Sequence, residues 1–353
     1  ALGDTALDSI AAGGTDNVAI GNHSGTAITT GDKNTAVGSL SLEANTTASY
    51  NTAVGYSSLK TNITGAGNTG LGYRSLELTT AANNTGLGYE AGAANAGGAS
   101  NTAIGKSALC KNTTGNSNVA VGISALFANT TADNNVAIGQ QALTSNTTGT
   151  RNVAVGCGAL LSNVNDNDNT GIGFATLVNS SGQSNTAVGS CALNTNTTGS
   201  CNVAMGRDAL LANAAGSCNS AVGAFALDAN TTAIRNNAFG YNALTNTTEG
   251  NSNNAFGTGA LQLNTTGANN VAMGQNALVA NTTASDNTAV GYLSLTANTT
   301  GTQNVAMGAY ALDANTTASQ NVAIGFDSLS ISTTGTANTA VGFEAARNST
   351  TAS

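Results

Sequence analysis

Charged side chains are scarce in this sequence. Its 353 residues include 9 Lys+Arg and 17 Asp+Glu, or 7%, where a globular domain carries about 25%. Proline and tryptophan are absent, and aromatic residues make up 4%. A chain with 40% apolar residues and so little charge is neither a disordered polyelectrolyte nor a collagen. The net charge of -8 argues against a nucleic-acid partner, because phosphate contacts need clustered Lys and Arg.

The sequence instead consists of one short motif that repeats from end to end. The motif Asn-x-(Ala/Gly)-apolar-Gly begins at Asn17, Asn34 and Asn51 and recurs as far as Asn338. Successive copies are 17 residues apart, except for two intervals of 16 residues. Self-similarity at a fixed period is typical of a solenoid, in which each unit packs on its neighbours. The sequence therefore predicts a single solenoid domain over residues 1–353. Its roughly 21 coils, stacked about 4.8 Å apart, would form a rod of about 100 Å.

Each repeat is numbered from its asparagine, position 1, with the consensus Asn-(Thr/Val)-Ala-(Val/Ile)-Gly-x-x-Ala-Leu-x-x-Asn-Thr-Thr-(Gly/Ala)-x-x. Position 5 is glycine in every copy, which predicts a corner that needs a positive φ or has no room for a Cβ. Position 4 interchanges Val, Ile, Leu, Met and Phe, and Met205, Met273, Met307, Phe239 and Phe256 all occupy it. Such interchange indicates a core column in which methionine fills gaps. Position 9 is leucine in all but three copies and predicts a second core column.

The short, often β-branched apolar stretches predict strands rather than helices. We expect strands at positions 2 to 4 and 7 to 9, a bend at the position-5 glycine, and a polar connection over positions 10 to 17. No charged residue falls in positions 1 to 5, 8, 9, 12 or 13, as expected if these are stacked or buried. A proline would remove a donor from any ladder it entered, which fits its absence. The predicted fold is an all-β, parallel β-solenoid, or β-roll.

Neighbouring residues of a strand point to opposite faces, yet positions 3 and 4 are both apolar. If Val/Ile at position 4 and Leu at position 9 fill the coil, the alanine faces point outward and need cover. Small, uncharged outer faces favour close packing against another copy of the chain, so we expect a homo-oligomer. The alternative is a monomeric solenoid whose alanines tolerate exposure.

Two stretches carry a family resemblance. Asn118-Val-Ala-Val-Gly-Ile-Ser-Ala-Leu126 and Asn304-Val-Ala-Met-Gly-Ala-Tyr-Ala-Leu312 resemble the YadA-like head repeats of trimeric autotransporter adhesins. They are also similar to the repeat arrays of phage tail-fibre and other surface-fibre proteins. The resemblance covers the whole chain. It implies a left-handed β-roll, a trimer, and an extracellular binding or spacer role.

The polar connection supports two interpretations. The asparagines at positions 1 and 12, with the threonines at 13 and 14, predict side-chain ladders and turn hydrogen bonds. The sharper hypothesis is N-glycosylation, because many position-12 asparagines head an Asn-Thr-Thr acceptor sequence. The residues concerned are Asn45, Asn112, Asn129, Asn146, Asn196, Asn230, Asn264, Asn281, Asn298 and Asn315.

Regular threonine columns on a β-solenoid also raise ice binding as a function. A flat ice-binding face has two outward threonines separated by one inward residue. Thr46 and Thr47 are instead adjacent and predicted to lie in a turn, and position 2 alternates Thr with Val. Ice binding is therefore the third-ranked function.

Aromatic residues recur at position 6, which also accepts Asp4, Lys106 and Arg207 and so must reach solvent or an interface rim. One hypothesis is that these rings contact sugars of a host surface, and the other is simple packing beside the glycine corner. The candidate glycan-contact residues are Tyr56, Tyr73, Tyr89, Tyr241 and Tyr292.

Five cysteines are present, an odd number. Cys201 and Cys218 share position 17 in neighbouring coils, and a ladder spacing of about 4.8 Å lies within the reach of a disulfide. The alternative is that both are free and replace Ser or Asn. No paired Cys-x-x-Cys zinc pattern exists.

No catalytic constellation is assembled from a single histidine, His23, and scattered acids, so the sequence predicts no enzyme, no cofactor and no metal site. No run of eighteen apolar residues and no signal sequence is visible, and the chain begins within a repeat, as expected of a processed chain or part of a longer array. We expect a structural fibre or adhesin module of a cell or virion surface that mediates attachment. The alternative is a self-assembling filament subunit with no specific ligand.

Overall fold

All regular secondary structure in the described chain is β-strand. The computed structural model describes residues 2–9 and 14–350, and these contain twenty strands of three residues each. The strands are β1 Val18–Ile20, β2 Thr35–Val37, β3 Thr52–Val54, β4 Thr69–Leu71, β5 Thr85–Leu87, β6 Thr102–Ile104, β7 Val119–Val121, β8 Val136–Ile138, β9 Val153–Val155, β10 Thr170–Ile172, β11 Thr186–Val188, β12 Val203–Met205, β13 Ser220–Val222, β14 Asn237–Phe239, β15 Asn254–Phe256, β16 Val271–Met273, β17 Thr288–Val290, β18 Val305–Met307, β19 Val322–Ile324 and β20 Thr339–Val341.

The chain divides into two compact units of the same construction. Ala1–Val178 contains β1 to β10, and Asn179–Ser353 contains β11 to β20. Within each unit, successive strands pair in parallel and position for position, so that Ala120 of β7 lies beside Ala137 of β8. Leu2, which belongs to one further copy of the motif, forms an isolated parallel bridge with Ile20. The predicted all-β, parallel β-solenoid is confirmed.

Within each unit, backbone hydrogen bonds join successive coils. In the coil that begins at Asn118, the amide of Val119 donates to Asn135 O at 2.8 Å and that of Leu126 donates to Ala142 O at 2.9 Å, both in the next coil. The amide of Gly122 donates the other way, to Ile104 O at 2.7 Å. The ladder therefore extends beyond the strands to the turns, and a proline at any of these donors would break it.

The predicted second strand, at positions 7 to 9, is wrong. Positions 6 to 11 form a continuous series of turns, in which positions 7 and 9 are left-handed. Ser124 and Leu126 illustrate this with φ values of 56° and 51°. A leucine rarely adopts this conformation, and it is held here by the inter-coil hydrogen bond of its own amide and by burial of its side chain.

The glycine corner at position 5 has both of the properties that the sequence left open. Gly139 has φ of 130°, and a Cβ on it would lie 2.6 Å from the carbonyl oxygen of Gly156 in the next coil. Any side chain would therefore collide with the neighbouring backbone as well as strain its own.

The interior of the coil is lined by positions 3, 8 and 9. Ala137, Ala142 and Leu143 are all fully buried. Position 4, which the sequence predicted to be a core column, instead points outward, and Ile138 is 39% exposed. The reversal has a steric cause, because the interior beside position 3 is already filled. At Gly86, a Cβ would lie 2.7 Å from Cγ of the buried Leu76.

Two columns of buried asparagine complete the interior. At position 1, the side-chain oxygen of Asn101 accepts from the backbone amide of Asn118 at 2.9 Å. Asn118 Nδ2 in turn donates to Ala132 O, across the coil, at 2.8 Å. At position 12, Asn129 Nδ2 donates to Asn112 Oδ1 and to Ala132 O. The predicted asparagine ladders are confirmed. They give partners to most of the buried polar groups of the connection, and the exceptions include Oδ1 of Asn45, Asn163, Asn230 and Asn315.

Candidate functional site

The surface that distinguishes this solenoid is the outward face, defined as the side chains at positions 2 and 4 of every strand. None of these side chains is charged. The position-4 side chains are apolar throughout and all partly or largely exposed, as in Met205 at 44% and Phe256 at 38%. They are Ile20, Val37, Val54, Leu71, Leu87, Ile104, Val121, Ile138, Val155, Ile172, Val188, Met205, Val222, Phe239, Phe256, Met273, Val290, Met307, Ile324 and Val341.

Like side chains stack along the outward face. The rings of Phe239 and Phe256 are parallel to within 4°, with centroids 4.8 Å apart. Beside them, Asn237 Nδ2 donates to Asn254 Oδ1 at 2.8 Å. Because the strands are in register, each type of group repeats at one strand spacing along the face.

The candidate glycan-contact tyrosines at position 6 are all exposed, at 43–53%. Tyr56, Tyr73 and Tyr89 form a near-parallel stack with centroids 5.5 and 5.1 Å apart. Tyr241 and Tyr292 instead meet the position-7 rings of Phe225 and Tyr310 edge to face, at 6.0 and 5.4 Å. In the tyrosine stack both faces of Tyr73 are covered by its neighbours, whereas Tyr56 and Tyr89 each have only one face covered within the stack. Glycan contact by these residues stays a prediction.

The acceptor asparagines lie on the inside of the coil. Each is fully buried, and each uses Nδ2, the atom that glycosylation would modify, as a hydrogen-bond donor to a backbone carbonyl of its own connection. A glycan on that nitrogen has no room in the folded coil and would break the ladder. The glycosylation hypothesis is therefore incompatible with the folded positions of Asn45, Asn112, Asn129, Asn146, Asn196, Asn230, Asn264, Asn281, Asn298 and Asn315.

The predicted disulfide is absent. Cys201 and Cys218 are exposed and free. The remaining cysteines, Cys110, Cys157 and Cys191, are free as well. The bridge does not follow from ladder spacing alone, because a disulfide also requires the two Cβ atoms to be directed toward each other.

A cavity that the sequence did not predict lies on the turn side of three successive coils in the first unit. Its volume is about 210 Å³. In the coil that begins at Asn84, positions 9 to 11 hold only Gly92, Ala93 and Ala94, where the neighbouring coils carry large side chains at one or more of these positions. We call this cavity the notch. It is lined by Arg74, Glu77, Leu78, Glu90, Ala93, Ala94, Cys110 and Lys111.

Three of the four charged side chains of the notch are paired with one another, and the fourth, Lys111, lies with Nζ 4.8 Å from the centroid of the Phe127 ring. Arg74 Nε lies 2.6 Å from Glu77 Oε2, and its Nη1 lies 3.3 Å from Glu90 Oε1. The hydrogen bond and charge of Glu77 raise the pKa of Arg74, so that the guanidinium remains charged at any relevant pH. Burial raises the pKa of the Cys110 thiol, which therefore stays neutral. The signal in the sequence was the run of small residues at 92–94, which departs from the consensus.

Comparison with known proteins finds no family model and no curated relative that matches the chain. The likeness to adhesin heads and surface fibres thus remains a prediction from the repeat. Within residues 2–9 and 14–350, no three His, Cys, Asp or Glu side chains come together as metal ligands. In the same ranges, no helix has the length and hydropathy required to span a membrane.

Proposed function

We propose that the chain is a fibre module of a cell or virion surface, which associates with further copies of itself through the outward face and mediates attachment. The observation that carries this proposal is the outward face, which is uncharged on all twenty strands and apolar at position 4 of each. A protein with a net charge of -8 that confines every charge to other positions keeps this one surface free of repulsion between copies.

The area of the outward face supports a protein partner. Ten strands about 4.8 Å apart and about 10 Å wide give each unit about 500 Å² of uncharged face. The largest apolar patch on a typical monomer is about 300–600 Å² and is often a binding site. A stable interface buries about 800 Å² on each partner, so the face of one unit is large enough to supply more than half of such an interface. The occupant is a second copy of the chain, because another solenoid repeats its side chains at the same spacing.

The attachment role is supported by the construction of the coils. Within each unit, successive coils are tied together through backbone and asparagine ladders, so groups on the surface of that unit are held at fixed intervals. The exposed position-6 rings and the notch are non-repeating features displayed on this regular scaffold. A homo-oligomer presents one copy of each feature per chain, and several copies of one weak site gain affinity by multivalency.

Self-association is tested by the mass of the protein in solution. We expect light scattering to report an oligomer for the wild type and a smaller species for the double variant Ile138→Glu, Met205→Glu. Both side chains lie on the outward face, where a desolvated carboxylate is costly. Thr131→Glu at exposed position 14 is the matched control and should leave the mass unchanged. A monomeric wild type would overturn the proposal.

The alternative is a filament subunit with no ligand. It also predicts self-association, but the oligomer would then fail to hold beads to any cell or glycan-coated surface. Bead adhesion by the wild-type oligomer distinguishes the two functions.

One observation favours ice binding more than the sequence did. Thr35, Thr52, Thr69, Thr85 and Thr102 project from five successive strands of the outward face, alternating with inward alanine or glycine and outward Val, Leu or Ile. The threonine row therefore lies on a sheet rather than in a turn. This function predicts a monomer with thermal hysteresis, and an oligomer without hysteresis excludes it.

A further inference from the structure

At the notch the turn side departs from the repeat in both shape and charge. Other coils carry at least one larger side chain at positions 9 to 11, but Gly92, Ala93 and Ala94 provide almost no volume. The missing side chains leave a recess one coil high between Glu77–Leu78 on one side and Cys110–Lys111 on the other.

The chemistry of the recess combines a small apolar floor with fixed polar groups. Leu78, Ala93 and Ala94 supply the apolar surface, together with the neutral thiol of Cys110. The ion pairs of Arg74 with Glu77 and Glu90 hold a planar donor between two carboxylates. Each carboxylate retains free lone pairs, since an ionised carboxylate accepts about four hydrogen bonds.

The formal charges of the notch cancel. Arg74 and Lys111 balance Glu77 and Glu90, so the notch as a whole attracts neither anions nor cations. A charged ligand that used Arg74, Glu77 or Glu90 would have to break an existing ion pair, and the remaining charge, on Lys111, already lies over the Phe127 ring. A hydroxyl group does not, because it donates to a carboxylate and accepts from a guanidinium while both remain paired.

We propose that the notch binds a single neutral pyranose ring, as one residue of a surface glycan. Its hydroxyl groups bond to Glu77, Glu90 and Arg74, and its C–H face packs on Ala93 and Ala94. The volume of about 210 Å³ is below the roughly 300 Å³ of pockets for drug-sized ligands, which fits one ring rather than an oligosaccharide. This inference deepens the attachment function proposed above and rests on it.

The tyrosine stack extends the polar surface beside the notch. Tyr73 and Tyr89 immediately precede Arg74 and Glu90 in the chain, at the same two coils. The stack covers both ring faces of Tyr73 and one face of Tyr89, and both residues remain exposed. A glycan whose end residue occupies the notch would meet the hydroxyl groups of these two tyrosines with its next residue.

The test is a titration of the full chain with glucose, galactose, mannose and N-acetylglucosamine, followed by saturation-transfer NMR. We expect binding of at least one sugar and a loss of about tenfold or more in affinity in Ala94→Leu, which fills the notch. Leucine at position 11 is compatible with the fold, as Leu78 and Leu263 show. Ala128→Leu places the same side chain at position 11 of another coil and should leave binding unchanged. Circular dichroism and the melting temperature confirm that both variants fold.

A second variant tests the polar groups. Glu90→Gln keeps the size of the side chain but removes a charged acceptor, and should weaken sugar binding several-fold. The inference is overturned if no sugar binds at millimolar concentration, if Ala94→Leu binds as the wild type does, or if glycine and lysine bind in place of sugars.

Bead adhesion to glycan-coated surfaces separates this inference from the attachment function. If wild-type and Ala94→Leu beads adhere equally, the notch is not the site but attachment stands. If the wild type binds free sugar yet its beads do not adhere, the notch is a sugar site and the attachment function is wrong.

Discussion

The two faces of each strand make an informative comparison, because both are uncharged and largely apolar. Position 3, on the inward face, is alanine or glycine in every strand and is buried throughout. Position 4, on the outward face, ranges from valine to phenylalanine and is exposed to solvent in part. Hydrophobicity does not distinguish the two faces. What distinguishes them is tolerance of size.

The reason is the close packing of the coil interior. Inward side chains meet both the far side of their own coil and the coils above and below, so a column has no room for a larger residue. At Gly70, a Cβ would lie 2.4 Å from the hydroxyl oxygen of Ser58. Outward side chains have no such opposing wall, and Phe239 follows Val222 in the next strand without disturbing the register.

The comparison is tested most strongly by the same substitution on each face. Leu143 at position 9 is fully buried, whereas Leu87 at position 4 is 41% exposed. We expect Leu143→Ala to lower the free energy of unfolding by about 2–5 kcal/mol, through lost burial and a cavity. Leu87→Ala should cost less than about 1 kcal/mol in the monomer, because much of its surface is already in solvent.

Urea denaturation followed by circular dichroism measures both effects. The free energies of unfolding should be measured in variants that also carry Ile138→Glu and Met205→Glu and are therefore monomeric, since self-association would stabilise the outward leucine. Equal losses for the two leucines would show that the outward face is packed within the single chain, contrary to the structure.

Most of the fold followed from the period and chemistry of the repeat. The parallel coil, the glycine corner, the leucine column and the asparagine ladders were each predicted from a residue type that recurs at a fixed position of the repeat. Which side of the strand faces the interior could not be predicted from the sequence, because Ala at position 3 and Val at position 4 are both apolar. The left-handed backbone conformation of Leu126 could not be predicted from the sequence either, since leucine does not favour that conformation. The notch was visible only as a departure at 92–94, whose meaning depends on the neighbouring coils.

The buried asparagine columns allow a second test, in which a substitution is expected to stabilise the protein. The position-12 ladder is interrupted where Thr247 replaces asparagine, and the buried Oδ1 of Asn230, one coil before it, has no partner. Thr247→Asn should restore the bond and raise the free energy of unfolding by about 1 kcal/mol. Thr232→Asn at exposed position 14 is the control and should change little. A melting temperature that falls in Thr247→Asn alone would mean that the ladder has no room for a further amide.

The smallest expected effect concerns the border between the faces, where a carboxylate approaches the interior. Asp313 follows the buried Leu312, and burial, reinforced by the charge of Asp327 and opposed by that of Arg347, raises its pKa. Its Oδ1 is buried without a partner. A raised pKa in the folded state stabilises the protein below the ordinary pKa of aspartate, and this stabilisation is lost as the pH rises through the folded value. Asp313→Asn should therefore melt slightly higher than the wild type at pH 7, and the difference should shrink as the pH falls toward about 4. Glu249→Gln, at exposed position 14, should show no such trend. A difference for Asp313→Asn that stays the same at every pH would place the carboxylate in water, and one that grows on acidification would mean that the fold stabilises the ionised carboxylate.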